Sequence, residues 1–104
     1  MTTRKQLATA ALMAAISLAP SATAQDVEAG RIVAQRYCSS CHEIGKNPVY
    51  SEMAPSFGEI ARRPVATSGA LNAFLSRPHD RMPSYLMRQE ISNVSAYITS
   101  LNKP

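Results

Sequence analysis

Cys38-Ser39-Ser40-Cys41-His42 is the stretch on which the reading of this chain turns. Two cysteines three positions apart, with a histidine directly after the second, form the C-x-x-C-H pattern that in an exported chain reads as a covalent c-type haem attachment. On a helical turn, residues three apart share a face, so both thiols can reach the vinyl groups of one porphyrin and close two thioether bonds. The histidine that follows is carried to the porphyrin face, where a neutral imidazole nitrogen suits iron.

Other uses of the same residue types fit less well. A structural zinc site takes four ligands, commonly in two pairs. This chain holds two cysteines and two histidines in all, Cys38, Cys41, His42 and His79, without a second C-x-x-C or an H-x-x-x-H pair. A thioredoxin-like dithiol expects a βαβ setting, and no strand-like alternation surrounds these residues. A stabilising disulfide in a small secreted domain closes a long loop; cysteines three apart close almost none.

The rest of the sequence supports export and a single small domain. Arg4 and Lys5 precede an apolar run from Leu7 to Ala19, Pro20 breaks it, and Ala22-Thr23-Ala24 supplies the small residues of a cleavage site. This is the layout of a secretory signal cleaved after Ala24, and the run is shorter than the roughly 20 residues a membrane span needs. No cysteine lies near the cleavage point to carry a lipid. The expectation is therefore a signal at 1–24, one domain at 25–104, a periplasmic location and no stable membrane insertion. Removing 24 of the 104 residues leaves 80, a size at which a polypeptide core alone is marginal and a staple is needed. Without Arg4 and Lys5, nine basic residues face seven acidic ones, a net charge of +2. Two haem propionates would bring this close to zero, and nucleic acid binding, which needs a basic stripe, is not expected.

Hydrophobic periodicity predicts an all-α chain. Asp26 is a candidate N-cap, Glu28 suits the first turn, and Val27, Gly30, Val33, Ala34 and Tyr37 recur at helical spacing to about Cys41. A mid-helix glycine costs about 1 kcal/mol against alanine, which points to close approach of another helix at Gly30. Arg88 to Leu101 carries a second stripe of Ile91, Val94, Tyr97, Ile98 and Leu101, with a start that falls at Met87 or Ser84. Between them lie Pro48, Pro55, Pro64, Pro78 and Pro83, a short helix at 68–76, and a further turn at 57–63.

An iron bound by His42 can take a sixth ligand, and a methionine thioether raises the potential toward that of electron carriers. Met82 is the candidate, because Pro78-His79-Asp80-Arg81-Met82-Pro83 is an irregular loop stiffened by two prolines. Met53 and Met87 are expected to fill the core, as methionines commonly do; His79, three residues before Met82 and a candidate nitrogen ligand, is expected to be a solvated loop residue, with a bis-histidine state or a pH-dependent ligand exchange as the alternative.

Taken together, residues 26–104 resemble a short class I cytochrome c. Gly30 with Cys38-Ser39-Ser40-Cys41-His42 resembles the family's first helix and haem motif, and Ala54-Pro55-Ser56-Phe57 its proline loop. Arg81-Met82-Pro83 is similar to its distal segment, and Val94-Ser95-Ala96-Tyr97-Ile98 to its last helix. The resemblance implies a small cytochrome c fold with crossing N- and C-terminal helices around one haem c. It further implies thioethers at Cys38 and Cys41, proximal ligation by His42, a Pro55 carbonyl accepting a hydrogen bond from that histidine, and distal ligation by Met82. An outer acceptor on the second ring nitrogen is the general rule for metal-bound imidazole. Some relatives carry an aromatic residue where Ala34 stands, so Tyr37 is expected to fill that space.

The function implied is the transport of single electrons between transiently docked redox proteins, by a monomer that is not an enzyme. Two alternatives belong to other classes: a gas sensor or peroxidase-like enzyme with an open sixth position, and a dedicated electron-transfer subunit of a periplasmic dehydrogenase. No Ser/His/Asp or paired-carboxylate context for hydrolytic chemistry is present.

Overall fold

The computed structural model describes residues 25–103. The expected signal at 1–24 lies outside the described residues. Four helices form: α1 (Val27–Tyr37), α2 (Phe57–Ala61), α3 (Ser68–Leu75) and α4 (Arg88–Ser100), with no strand among the described residues. Three of them start on an oxygen-bearing cap that takes one of the unpaired N–H groups of the first turn. Asp26 accepts from the amide of Ala29 at 2.9 Å, Ser56 from Glu59 at 3.1 Å and Thr67 from Ala70 at 3.2 Å. The start of α4 falls on Met87, not Ser84, and the Met87 amide donates to the Glu90 side chain at 3.0 Å.

α1 stops at Tyr37 instead of running on to Cys41. The reason lies in the serines of the motif. The Ser39 hydroxyl bonds the Gln35 carbonyl and the Ser39 amide reaches back to Ala34, so side chain and backbone both compete with the helical ladder. One further turn follows, closed by bonds from the Cys41 amide (3.2 Å) and the His42 amide (2.9 Å) to the Cys38 carbonyl. The pentapeptide is thus a separate turn at the end of α1, in which the His42 amide still bonds four residues back.

The dominant packing is α1 across α4. At Gly30 a β-carbon would overlap the Asn93 carbonyl and stand 3.0 Å from Cβ of Tyr97. Only a residue without a side chain lets the two backbones meet there. Buried Asn93 also ties the helix starts together: its Oδ1 accepts from the Asp26 amide at 3.0 Å and from Gln89 at 2.9 Å. Around this crossing, Ala34, Phe57, Ala61, Leu71, Val94, Tyr97 and Ile98 form the core. The stripe of α4 lies as the periodicity predicts, with Val94, Tyr97 and Ile98 buried and Ile91 and Leu101 half-buried. Ala34 is fully buried, and Tyr37 packs edge-to-face on Tyr85 at 5.8 Å.

Met53 and Met87, expected in the core, are instead 71% and 67% exposed. Met53 lies in the open loop ahead of Pro55, and Met87 is spent on the cap of α4.

Gly30→Ala forces apart two packed backbones, and overpacking of this kind costs about 1–3 kcal/mol or more. Urea denaturation of the Gly30→Ala protein is expected to show a loss of at least about 2 kcal/mol, whereas Gly69→Ala, whose β-carbon meets nothing within 4 Å, is expected to leave the midpoint within error or raise it.

Candidate haem-attachment site

The turn after α1 places Cys38, Cys41 and His42 together, and the loop that follows fixes the imidazole. Nδ1 of His42 lies 2.6 Å from the Pro55 carbonyl oxygen. A carbonyl only accepts, so Nδ1 carries the proton and the lone pair is left on Nε2. The ring also packs at 5.2 Å on Phe57. A second backbone bond, from the Phe57 amide to the Glu43 carbonyl at 2.8 Å, straps the same two segments together one step along.

Pro55 is itself held from behind. Ser56 is fully buried, and its hydroxyl accepts from the Val49 amide as well as from Glu59, each at 3.1 Å. Gly58 lies against the Lys46 carbonyl with no room for a β-carbon. Arg62 donates to the carbonyls of Lys46 at 3.2 Å and Gly58 at 2.9 Å. From the far side, the Tyr97 hydroxyl donates to the Ile44 carbonyl at 2.7 Å. Burial raises the pKa of that hydroxyl, which keeps it a donor. The loop carrying His42 is therefore pinned to α2 and α4 by bonds to its backbone, most of them from side chains, that sequence periodicity does not reveal.

No disulfide joins Cys38 and Cys41, and both are half-buried. Before attachment, burial pushes the Cys38 thiol up to about 11, so it stands protonated at neutral pH. Among the described residues no group of three or more His, Cys, Asp and Glu side chains is arranged to hold a metal ion between them.

α3 ends at Leu75 with Ser76 as its cap, and beyond Pro78 the Met82 amide donates to the His79 carbonyl at 2.8 Å, closing a turn with Asp80 at φ 45°. Met82 is half-buried at the end of this turn. His79 is not the solvated residue expected from sequence. It is half-buried, its ring stands edge-on to His42 at a centroid distance of 6.2 Å, and it packs on Phe74 at 5.0 Å. Its Nδ1 is buried and without a hydrogen-bond partner among the described residues. No local pattern in the sequence marks this burial; Pro78 and Pro83 show only that the loop holding His79 is stiff.

These residues fit a haem. They offer two thiols and an imidazole with one free nitrogen, and the chain leaves Val49, Tyr50, Phe74 and Tyr85 exposed, apolar surface of the kind that a porphyrin can cover. Comparison with known proteins agrees. The chain is 42% identical over 92 residues to cytochrome c-552 of Bradyrhizobium diazoefficiens, covering 86% of this chain and 88% of that protein. It is 30% identical over 87 residues to cytochrome c6 of Rippkaea orientalis, covering 81% and 78%. The chain belongs to the class I cytochrome c family. No protein-family model and no solved structure matches it. Its four helices are those of the small all-α cytochrome c fold, its cofactor is covalent haem c, and Cys38, Cys41 and His42 supply the attachment motif. The cytochrome transfers electrons and is not an enzyme; its dealings with redox partners are transient.

Ser56→Ala removes a fully buried acceptor that serves two part-buried amides and so costs about 1–3 kcal/mol. Thermal melts of the haem-loaded cytochrome are expected to show that loss, with Ser56→Thr recovering part of it.

Proposed function

We propose that residues 25–104, released by cleavage after Ala24, form a periplasmic monomer that carries one electron at a time, with thioethers at Cys38 and Cys41, His42 as proximal ligand and Met82 as distal ligand. The bound haem supplies reversible exchange between ferric and ferrous iron. The observation that carries this reading is the 2.6 Å bond from His42 to the Pro55 carbonyl. It fixes the tautomer and aim of the ring, strengthens the imidazole as a donor, and leaves Nε2 as its one coordinating atom.

For Met82 the support is its setting. It follows a hydrogen-bonded turn whose first residue, His79, already abuts the ring of His42, and Pro83 stiffens the exit. Of Met53, Met82 and Met87, the first and last stand in solvent and Met82 is half-buried. A thioether in this position raises the potential relative to a nitrogen ligand.

Location follows from the sequence signal at 1–24 and is compatible with the described helices, none of which is long and apolar enough to cross a membrane. For partners, the basic side chains differ in how far they are already committed. Arg31 and Arg63 pair with Glu28 and Glu59, and Arg62 is bound to backbone. Arg77 and Arg81, beside the His79–Met82 turn, are exposed and suit brief electrostatic steering of an acidic redox protein.

The test is Met82→Ala in the haem-loaded cytochrome. The sulfur-to-iron band at the red edge of the ferric spectrum is expected to vanish, and the potential to fall by a sizeable part of the roughly 0.8 V that axial ligands span. A band that survives the substitution overturns Met82 as ligand.

A further inference from the structure

Among the features that the electron-carrier reading leaves unused, His79 stands out. Resting on that reading, we propose that His79 is a reserve ligand for the same iron, taking the sixth position whenever Met82 leaves it. Three observations converge on this residue.

The first is spacing. Two imidazole nitrogens on opposite sides of one metal, each at about 2.0–2.1 Å, set ring centres about 6.2–6.6 Å apart once roughly 1.1–1.2 Å from nitrogen to ring centre is added on each side. The centroids of His42 and His79 are 6.2 Å apart. Their planes cross at 77°, which opposed ligands tolerate because each plane need only contain the nitrogen–metal axis.

The second is hydrogen bonding. A T-shaped contact between two rings would arise at the same distance without any metal. Such a contact gives no reason for a buried nitrogen of His79 to lack a partner, and Nδ1 is buried and unpaired among the described residues. Buried polar atoms are almost always satisfied, and exceptions tend to mark an absent ion or a functional role. On the opposing ring, Nδ1 is already committed to the Pro55 carbonyl, so His42 has one free nitrogen facing its own task.

The third is connection. His79 and Met82 are joined by the 2.8 Å bond from the Met82 amide to the His79 carbonyl. They occupy the two ends of one turn, which has a left-handed Asp80 inside it and Pro78 and Pro83 outside it. His79 holds the ligand spacing in this structure, so a shift of this turn as a unit carries Met82 in and His79 out when the thioether binds, and the reverse when it leaves, with Phe74 as the apolar rest for the imidazole at 5.0 Å. One coordinate bond from sulfur breaks and one from a ring lone pair forms; no electron, proton donor or further reactant is required.

The experiment uses the full-length, haem-loaded cytochrome and reads spin state by ferric absorption and electron paramagnetic resonance. Met82→Ala is expected to lose the sulfur band yet remain six-coordinate and low-spin with two nitrogen ligands. Adding His79→Phe, which keeps an aromatic ring against Phe74, is expected to convert it to high-spin. Added imidazole is expected to return that double variant to low-spin, showing an intact pocket. High-spin iron in Met82→Ala alone overturns the reserve role while leaving Met82 as the resident ligand. Equal low-spin spectra with and without His79 overturn it as well, since another group then fills the position. Survival of the sulfur band in Met82→Ala instead defeats the assignment of Met82, and the inference that rests on it falls too.

Discussion

A single hydrogen bond, from Nδ1 of His42 to the carbonyl of Pro55, is the constraint around which the cytochrome is arranged. On the proposed reading, attachment through Cys38 and Cys41 fixes where a porphyrin can sit, and the direction of the His42 imidazole decides whether its iron has a ligand. Because Pro55 has no N–H, its residue contributes nothing but the carbonyl, and the ring cannot adopt the opposite tautomer without losing the bond. Much of the loop chemistry serves that one acceptor. Ser56, Gly58, Arg62 and Tyr97 all bind the backbone between residues 44 and 58.

The same economy governs the fold. Few large side chains are buried, and the strongest internal contact is the α1–α4 crossing, made possible by the absence of a side chain at Gly30. A chain of this size gains little from its polypeptide core alone, and several aromatic and aliphatic groups remain in solvent. Haem supplies the missing apolar body, so that cofactor attachment and stability are coupled. The carbonyl of Asn93 at the crossing and its side chain at the helix starts do the remaining work of setting where α1 lies on α4.

Much of this was legible in the residues. The C-x-x-C-H run is readable because its chemistry allows little freedom in type or spacing, and the stripes of α1 and α4 because burial imposes a period of 3.6 on apolar side chains. Gly30 was readable as a close approach, since an interior glycine has a cost that some contact must offset. Pro55 came through resemblance and not from pattern, because what matters there is a carbonyl that every residue possesses. The end of α1 at Tyr37 was missed because serine hydroxyls competing for helix carbonyls leave no periodic trace. The clamp by Asn93 and the burial of His79 depend on segments 67 and 37 residues apart in sequence, beyond the reach of any local rule. Met53 and Met87 misled because methionine composition says core while their positions, an open loop and a helix cap, say surface.

The central claim is that sulfur joins this backbone to one porphyrin, and the intact mass of purified protein from cells able to attach haem tests it most directly. The account requires a red protein whose mass exceeds that of its polypeptide by one haem, with the added mass retained through acid–acetone extraction and confined to the peptide containing Cys38 and Cys41. A colourless protein at bare polypeptide mass, or haem that extraction removes, would contradict it.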